Sequence, residues 1–106
     1  MSWNVDIEIC SDGLVLSPSE RRKVEGRIAS SLSRYSDRLI AVEMGVRVSR
    51  FPDGSEEFLC EVACSLEGCR RIQVTTRATS LEEVVARASD RAARSADRVI
   101  RETAVT

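Results

Sequence analysis

Three consecutive stretches in the middle of the chain alternate apolar and polar residues, and tight-turn sequences separate them. Alternation with a period of two is typical of a β-strand that buries one face. The stretches cover residues 40–49, 58–66 and 70–77, and the turns between them are Phe51-Pro52-Asp53-Gly54 and Glu67-Gly68. Connections this short join antiparallel neighbours. The sequence therefore predicts a three-stranded antiparallel meander whose apolar face needs a cover.

Two amphipathic helices can supply that cover. The first is predicted to begin at Pro18, because Ser17 is a good N-cap and Glu20 completes a capping box. Its apolar stripe extends to Tyr35, so we expect it to end at Tyr35 or Ser36. The last helix is predicted to follow Ser80, with a second capping box formed by Glu83. Its expected buried face consists of Leu81, Val84, Val85, Ala88, Ala92, Ala96 and Val99.

A further strand precedes the first helix, since Val5, Ile7 and Ile9 alternate with polar residues. The predicted order is β-α-β-β-β-α, an α+β two-layer sandwich in which two helices cover one face of a four-stranded sheet. The first strand–helix–strand connection should be a right-handed crossover, which makes strands one and two parallel. At 106 residues, we expect a single domain over 1–106.

Five arginines of the last helix recur at steps of four and three, which places them on one stripe although the formal net charge is only -1. Two interpretations are open. Glu83, Asp90 and Asp97 stand four residues before Arg87, Arg94 and Arg101, so ion pairs within the helix could neutralise the stripe. Arg91 and Arg98 have no acid at that spacing and are the better candidates to reach a partner.

A second basic stripe is expected on the first helix. Lys23, Arg27 and Arg34 fall together on one side of it, away from the apolar stripe. None of them follows an acid by four residues, so this stripe should be less neutralised than the one on the last helix.

Composition argues against several other functions. The chain has no histidine, and histidine is the commonest general base and a frequent metal ligand. We therefore expect no enzyme and no cofactor. No stretch approaches the roughly 18 apolar residues of a membrane span, and the first residues do not resemble a secretory signal. The predicted location is the cytoplasm.

The four cysteines invite a disulfide or a metal site. Cys60 and Cys64 share one face of a predicted strand and lie about 13 Å apart at the usual rise per residue, too far for a disulfide. We interpret the cysteines as buried apolar thiols in a reducing compartment. A metal site or a redox role is the alternative.

Several segments resemble the ribosome hibernation-promoting factors, also called ribosome-subunit-interface proteins, in their short form. The matching segments are Leu14-Val15-Leu16, Ser17-Pro18 opening a basic helix, and Arg34-Tyr35-Ser36-Asp37-Arg38-Leu39 leading into Val42-Glu43. Asp90-Arg91-Ala92-Ala93-Arg94-Ser95-Ala96 is similar to the family's C-terminal segment. Element order and length agree over nearly the whole chain. Ala92 and Ala96 depart from the family pattern, which has leucines there.

The resemblance implies a fold like that of double-stranded-RNA-binding domains and docking in the mRNA and tRNA channel of the small subunit. The leading hypothesis is thus a cytoplasmic translation silencer that contacts rRNA phosphates without reading sequence. The alternative is a protein-interaction or dimerisation module of the same fold that uses the exposed sheet face or an edge strand, with a homodimer as one form of it. No membrane partner is expected. The predicted RNA-binding residues are Lys23, Arg27, Arg34, Arg38, Arg91, Arg94 and Arg98.

Overall fold

The structure is a computed structural model that describes the backbone of residues 6–104 and the side chains of residues 13–103. The predicted α+β class is confirmed. Val5, and the side chains of the first strand with its Cys10, lie outside the described residues. The elements in chain order are β1 (Asp6–Asp12), α1 (Pro18–Leu32), a 3-10 turn (Ser33–Tyr35), β2 (Leu39–Arg50), β3 (Glu56–Leu66), β4 (Ile72–Ala78) and α2 (Leu81–Ala104).

The strands are ordered β1-β2-β3-β4 in one sheet. β1 runs parallel to β2, as a strand–helix–strand crossover requires, and β2, β3 and β4 form the antiparallel meander. Gly54 closes the turn between β2 and β3 at a φ of 88°, and its N–H donates to the carbonyl of Phe51 at 2.9 Å. This hairpin extends beyond both neighbours, because β1 ends opposite Arg47 and β4 ends opposite Phe58.

Helix α1 begins where its capping box predicts. The Ser17 hydroxyl accepts from the N–H of Glu20 at 3.1 Å, and the Glu20 carboxylate accepts from the N–H of Ser17 at 3.0 Å. The predicted end was wrong in one respect, since the α-helix stops at Leu32 and a 3-10 turn continues to Tyr35. The Ser33 hydroxyl, which donates to the Ser30 carbonyl at 3.0 Å, competes with regular helix bonding there.

Helix α2 begins after Ser80, whose hydroxyl accepts from the N–H of Glu83 at 3.2 Å. Among the described residues only this half of the predicted second capping box forms, because the Glu83 carboxylate accepts from Arg87 instead. A carboxylate at the third helical position can accept a hydrogen bond from the backbone N–H of the cap residue or from a guanidinium one turn further on. Here Glu83 accepts from the charged donor, Arg87.

The core lies between the sheet and the two helices. Alternating residues of β2, β3 and β4 point towards the helices, as the period of two predicts. Helix α2 meets the sheet through small side chains, which allow the two layers to approach closely. Its fully buried residues include three alanines and one serine, whose hydroxyl has no hydrogen-bond partner among the described residues: Ala88, Ala92, Ala96 and Ser89.

Candidate nucleic-acid interface

The two helices lie side by side and run in the same direction. The Arg27 guanidinium of α1 contacts the Asp90 carboxylate of α2 at 3.3 Å. Towards the helix N-termini, Lys23 lines a groove together with Glu82 and Ala86. Residue 23 therefore lies near 82–86 and residue 27 near 90, which is the pairing of parallel helices. Their outer sides form one continuous surface on the side of the molecule opposite the open face of the sheet.

A row of acids runs along this surface of α2, with one carboxylate every seven residues. Glu83 and Asp97 form the predicted ion pairs with Arg87 and Arg101. The predicted pair of Asp90 with Arg94 was wrong, because Asp90 accepts from Arg27 of the other helix. An exposed pair at i,i+4 stabilises a helix by only a few tenths of a kcal/mol, about 0.3–0.5 kcal/mol. A guanidinium from the neighbouring helix can therefore replace it.

The same contact concerns the basic stripe of α1, which was expected to be less neutralised than the stripe of α2. Arg27, which has no acid four residues before it, is paired across the groove between the helices. Its side chain is 49% exposed and that of Asp90 is 54% exposed, so the pair is solvated and can exchange with another anion.

Arg91 was expected to reach outward and does not. Its Nη1 donates to the backbone carbonyl of Thr75 at 3.2 Å, and Nη1 of Arg87 donates to the carbonyl of Arg77 at 2.8 Å. Both side chains thus lie along β4, on the side of α2 that faces away from α1. The sequence predicted that they share a stripe, but not that the stripe borders a strand.

Most of the predicted site residues carry no ion pair among residues 13–103. Arg38, Arg94 and Arg98 also have no side-chain hydrogen bond there. The Arg34 guanidinium lies 5.5 Å from the centre of the Tyr35 ring, a cation–π arrangement that leaves its N–H groups to solvent. Glu102, four residues after Arg98, pairs with Arg70 at 3.4 Å instead. Hydrogen bonds to the backbone and side chain of Ser17 lower the pKa of the Glu20 carboxyl, and the nearby Lys23 lowers it further.

Four of these residues belong to the C-terminal parts of the two helices or to the turn that follows α1. Since Arg27 is level with Asp90, Arg34, seven residues later and in the 3-10 turn beyond α1, lies near the level of Asp97. Arg94 and Arg98 lie on α2 around that level, and Arg38 follows the 3-10 turn after α1. We call this set, Arg34, Arg38, Arg94 and Arg98, the C-terminal basic surface. Within this set, Arg94 and Arg98 lie beside Arg101 on α2, Arg34 and Arg38 follow the end of α1, and none of the four has an ion pair among residues 13–103.

Sequence reasoning missed the contribution of Arg77. This residue and Thr75 line a cleft between the outer edge of β4 and α2, together with Arg87, Arg91 and Arg94. Alternation predicts that Arg77 points away from the core, but the edge position of its strand depends on the sheet order and has no signature in the sequence.

The thiols offer no reactive site in the core. Cys60 and Cys64 are free and fully buried, which confirms the prediction of buried thiols for these two. Burial raises the pKa of the Cys60 thiol to about 12 and that of Cys64 to about 11. Cys69 is half-buried, and the described residues contain no group of three or more metal-ligating side chains. No helix in the described part of the chain is long and apolar enough to cross a membrane.

Comparison of the sequence with protein-family models and with curated proteins gives no match. Solved structures are nevertheless similar. A ribosomal subunit interface protein from Coxiella burnetii superposes with a TM-score of 0.70 at 13% identity, covering 87% of this chain and 93% of that one. The chain has the fold of a ribosomal subunit interface protein. The N-terminal domain of Thermus thermophilus Protein Y superposes with a TM-score of 0.65 at 21% identity, covering 92% of this chain and 98% of that domain.

The likeness noted from the sequence segments is thus confirmed as a likeness of fold. The departures from the family pattern at Ala92 and Ala96 lie in the core, because both side chains are fully buried between α2 and the sheet. Alanines there leave the outer surface of the helix unchanged, since they face the sheet and not the solvent.

Proposed function

We propose that this protein binds the small ribosomal subunit as a hibernation factor, silencing translation and protecting ribosomes during stress or stationary phase. The observation that most supports this is the fold, shared over 87% of the chain with a ribosomal subunit interface protein. Such a role is non-catalytic and needs no cofactor. It requires a surface that an RNA backbone can occupy.

The C-terminal basic surface is the proposed centre of that contact. Guanidinium groups match phosphate oxygens with two parallel N–H donors, and those of Arg34, Arg94 and Arg98 form no ion pair among the described residues. Contacts of this type give affinity and position without reading bases. Specificity would come from RNA shape, as in double-stranded-RNA-binding domains, whose fold this one is proposed to share.

Three predicted residues are expected to contribute less to RNA binding: Lys23, Arg27 and Arg91. Lys23 lies on the same outer surface, nearer the helix N-termini. Arg27 can join only after it leaves Asp90, and Arg91 only after it leaves the Thr75 carbonyl. Because the formal net charge is -1, the long-range electrostatic attraction between the protein as a whole and RNA is weak. Affinity must come from local contacts.

The decisive experiment is co-sedimentation with purified small subunits across a range of salt concentrations. If guanidinium groups meet phosphates, log affinity falls linearly with log salt, because each neutralised phosphate releases counterions. We expect Arg94→Ala with Arg98→Ala to reduce the slope by about two units. The matched control is Arg47→Ala with Arg71→Ala, which removes the same charge from the open face of the sheet and should leave the slope unchanged.

A flat salt profile would refute the phosphate contact. Binding that strengthens with salt would instead indicate an apolar interface, and the protein would then be a protein-interaction or dimerisation module. If the two double variants lose equal affinity and salt dependence, total charge determines binding and the helix surface does not.

A further inference from the structure

Strand β4 is an outer strand of the sheet, and within residues 6–104 it pairs with β3 alone. Along an antiparallel strand, every second residue directs its N–H and C=O away from its partner. The carbonyls of Thr75 and Arg77 accept bonds from α2, so these are outward-facing residues, and Gln73 is in phase with them. An edge of this kind is ready to pair with another strand unless something blocks it.

Two arginines of α2 block this edge. Arg87 donates to the Arg77 carbonyl at 2.8 Å and Arg91 to the Thr75 carbonyl at 3.2 Å. The spacings match, because four helical residues rise about 6 Å and two strand residues about 6.6 Å. Helix and strand run in opposite directions, so consecutive arginines meet consecutive outward carbonyls. The Glu83 carboxylate holds Arg87 from the other side.

We infer that the outer edge of β4 is a strand-pairing surface for a second copy of this chain, and that Arg87 and Arg91 keep it closed. An added strand needs the carbonyls of Thr75 and Arg77 as acceptors, and both are occupied by guanidinium donors. Removing the two side chains frees these acceptors without touching the bonds between β3 and β4.

A second copy fits this edge better than an arbitrary peptide. Two β4 strands can pair antiparallel about a two-fold axis through Thr75, where each offers the same alternating N–H and C=O groups. This register places Arg77 opposite Gln73 of the second copy, so no like charges face each other. The strand is also rich in β-branched residues, which favour pairing: Ile72, Val74, Thr75 and Thr76.

The test is the oligomeric state of Arg87→Ala with Arg91→Ala, measured by sedimentation velocity over a range of protein concentrations. We expect the double variant to dimerise at concentrations at which the parent stays monomeric. The control is Arg70→Ala with Arg101→Ala, which also removes two positive charges, together with the Arg70–Glu102 pair and the Arg101–Asp97 pair, but leaves β4 closed. It should stay monomeric.

A rescue variant identifies the surface. Adding Thr75→Pro to the double variant removes an outward N–H, which an edge strand tolerates, and should restore the monomer. A folded double variant that stays monomeric overturns the inference, as does a dimer that Thr75→Pro leaves intact or a parent that already dimerises through this edge. If circular dichroism shows the alanine variant to be unfolded, Arg87→Met with Arg91→Met keeps the aliphatic stems and is judged by the same outcomes.

Discussion

Replacing Asp90 with asparagine should strengthen binding to the small subunit. In the free protein Arg27 is paired with Asp90 at 3.3 Å, and it must give up this partner before it can contact a phosphate. Both side chains are about half exposed, and exposed pairs of this kind typically stabilise by about 0.2–1 kcal/mol. Removing that cost lowers the dissociation constant by up to about fivefold, since 1.4 kcal/mol is tenfold. The free energy of unfolding should fall by no more than the same amount.

The assay is co-sedimentation with small subunits at two or more salt concentrations. Asp90→Asn should tighten binding at each salt concentration and leave the slope of log affinity against log salt nearly unchanged, because Arg27 contacts the same phosphate in both proteins. The matched control is Glu61→Gln, which breaks the Arg47 pair at 3.5 Å on the open face of the sheet and removes the same charge. If Asp90→Asn and Glu61→Gln increase the affinity for the small subunit equally, the effect comes from net charge, and the reasoning about Arg27 is refuted.

Four further predictions concern stability and reactivity. Leu32→Ala, at a fully buried site, should lower the free energy of unfolding by about 2–5 kcal/mol in urea titrations. Ser89→Ala should be neutral or stabilising, because it removes a buried hydroxyl that has no partner among residues 13–103. Iodoacetamide should modify Cys69 before Cys64, because burial and a raised pKa keep the Cys64 thiol protonated. Mass spectrometry of the folded protein gives the order of modification, and modification of Cys64 first would contradict this. Ser17→Ala should cost about 1 kcal/mol by removing the cap of α1, and an unchanged melting temperature would contradict this.

The fold was largely predictable because its signals are local. The capping box of α1 lies within four consecutive residues, and the alternation of β2 and β3 needs only the strand itself. Element ends were less predictable, and the strands of the meander begin or end one or two residues away from their predicted limits. The end of α1 was wrong because a 3-10 turn keeps Tyr35 buried without continuing the helix.

The candidate site was predictable in its residue types but not in its partners. Spacing along one helix correctly paired Asp97 with Arg101, since both lie on the same element. It could not assign Asp90 to Arg27, because that contact depends on how two helices lie beside each other. Nor could it place Arg91 against the Thr75 carbonyl, which requires knowing that β4 is the outer strand.

The position of β1 has a consequence for the order in which the protein folds. Arg50 and Glu56 are brought together by a single turn, whereas Ile7 pairs with Val42 only after the whole of α1 has been placed. Closing the longer loop costs more chain entropy, and the hydrogen bonds that offset this cost form only afterwards. We therefore expect the meander to assemble first and β1 to dock late. The same strand should open first in the native state, so amide hydrogens of β1 should exchange faster than those of β3.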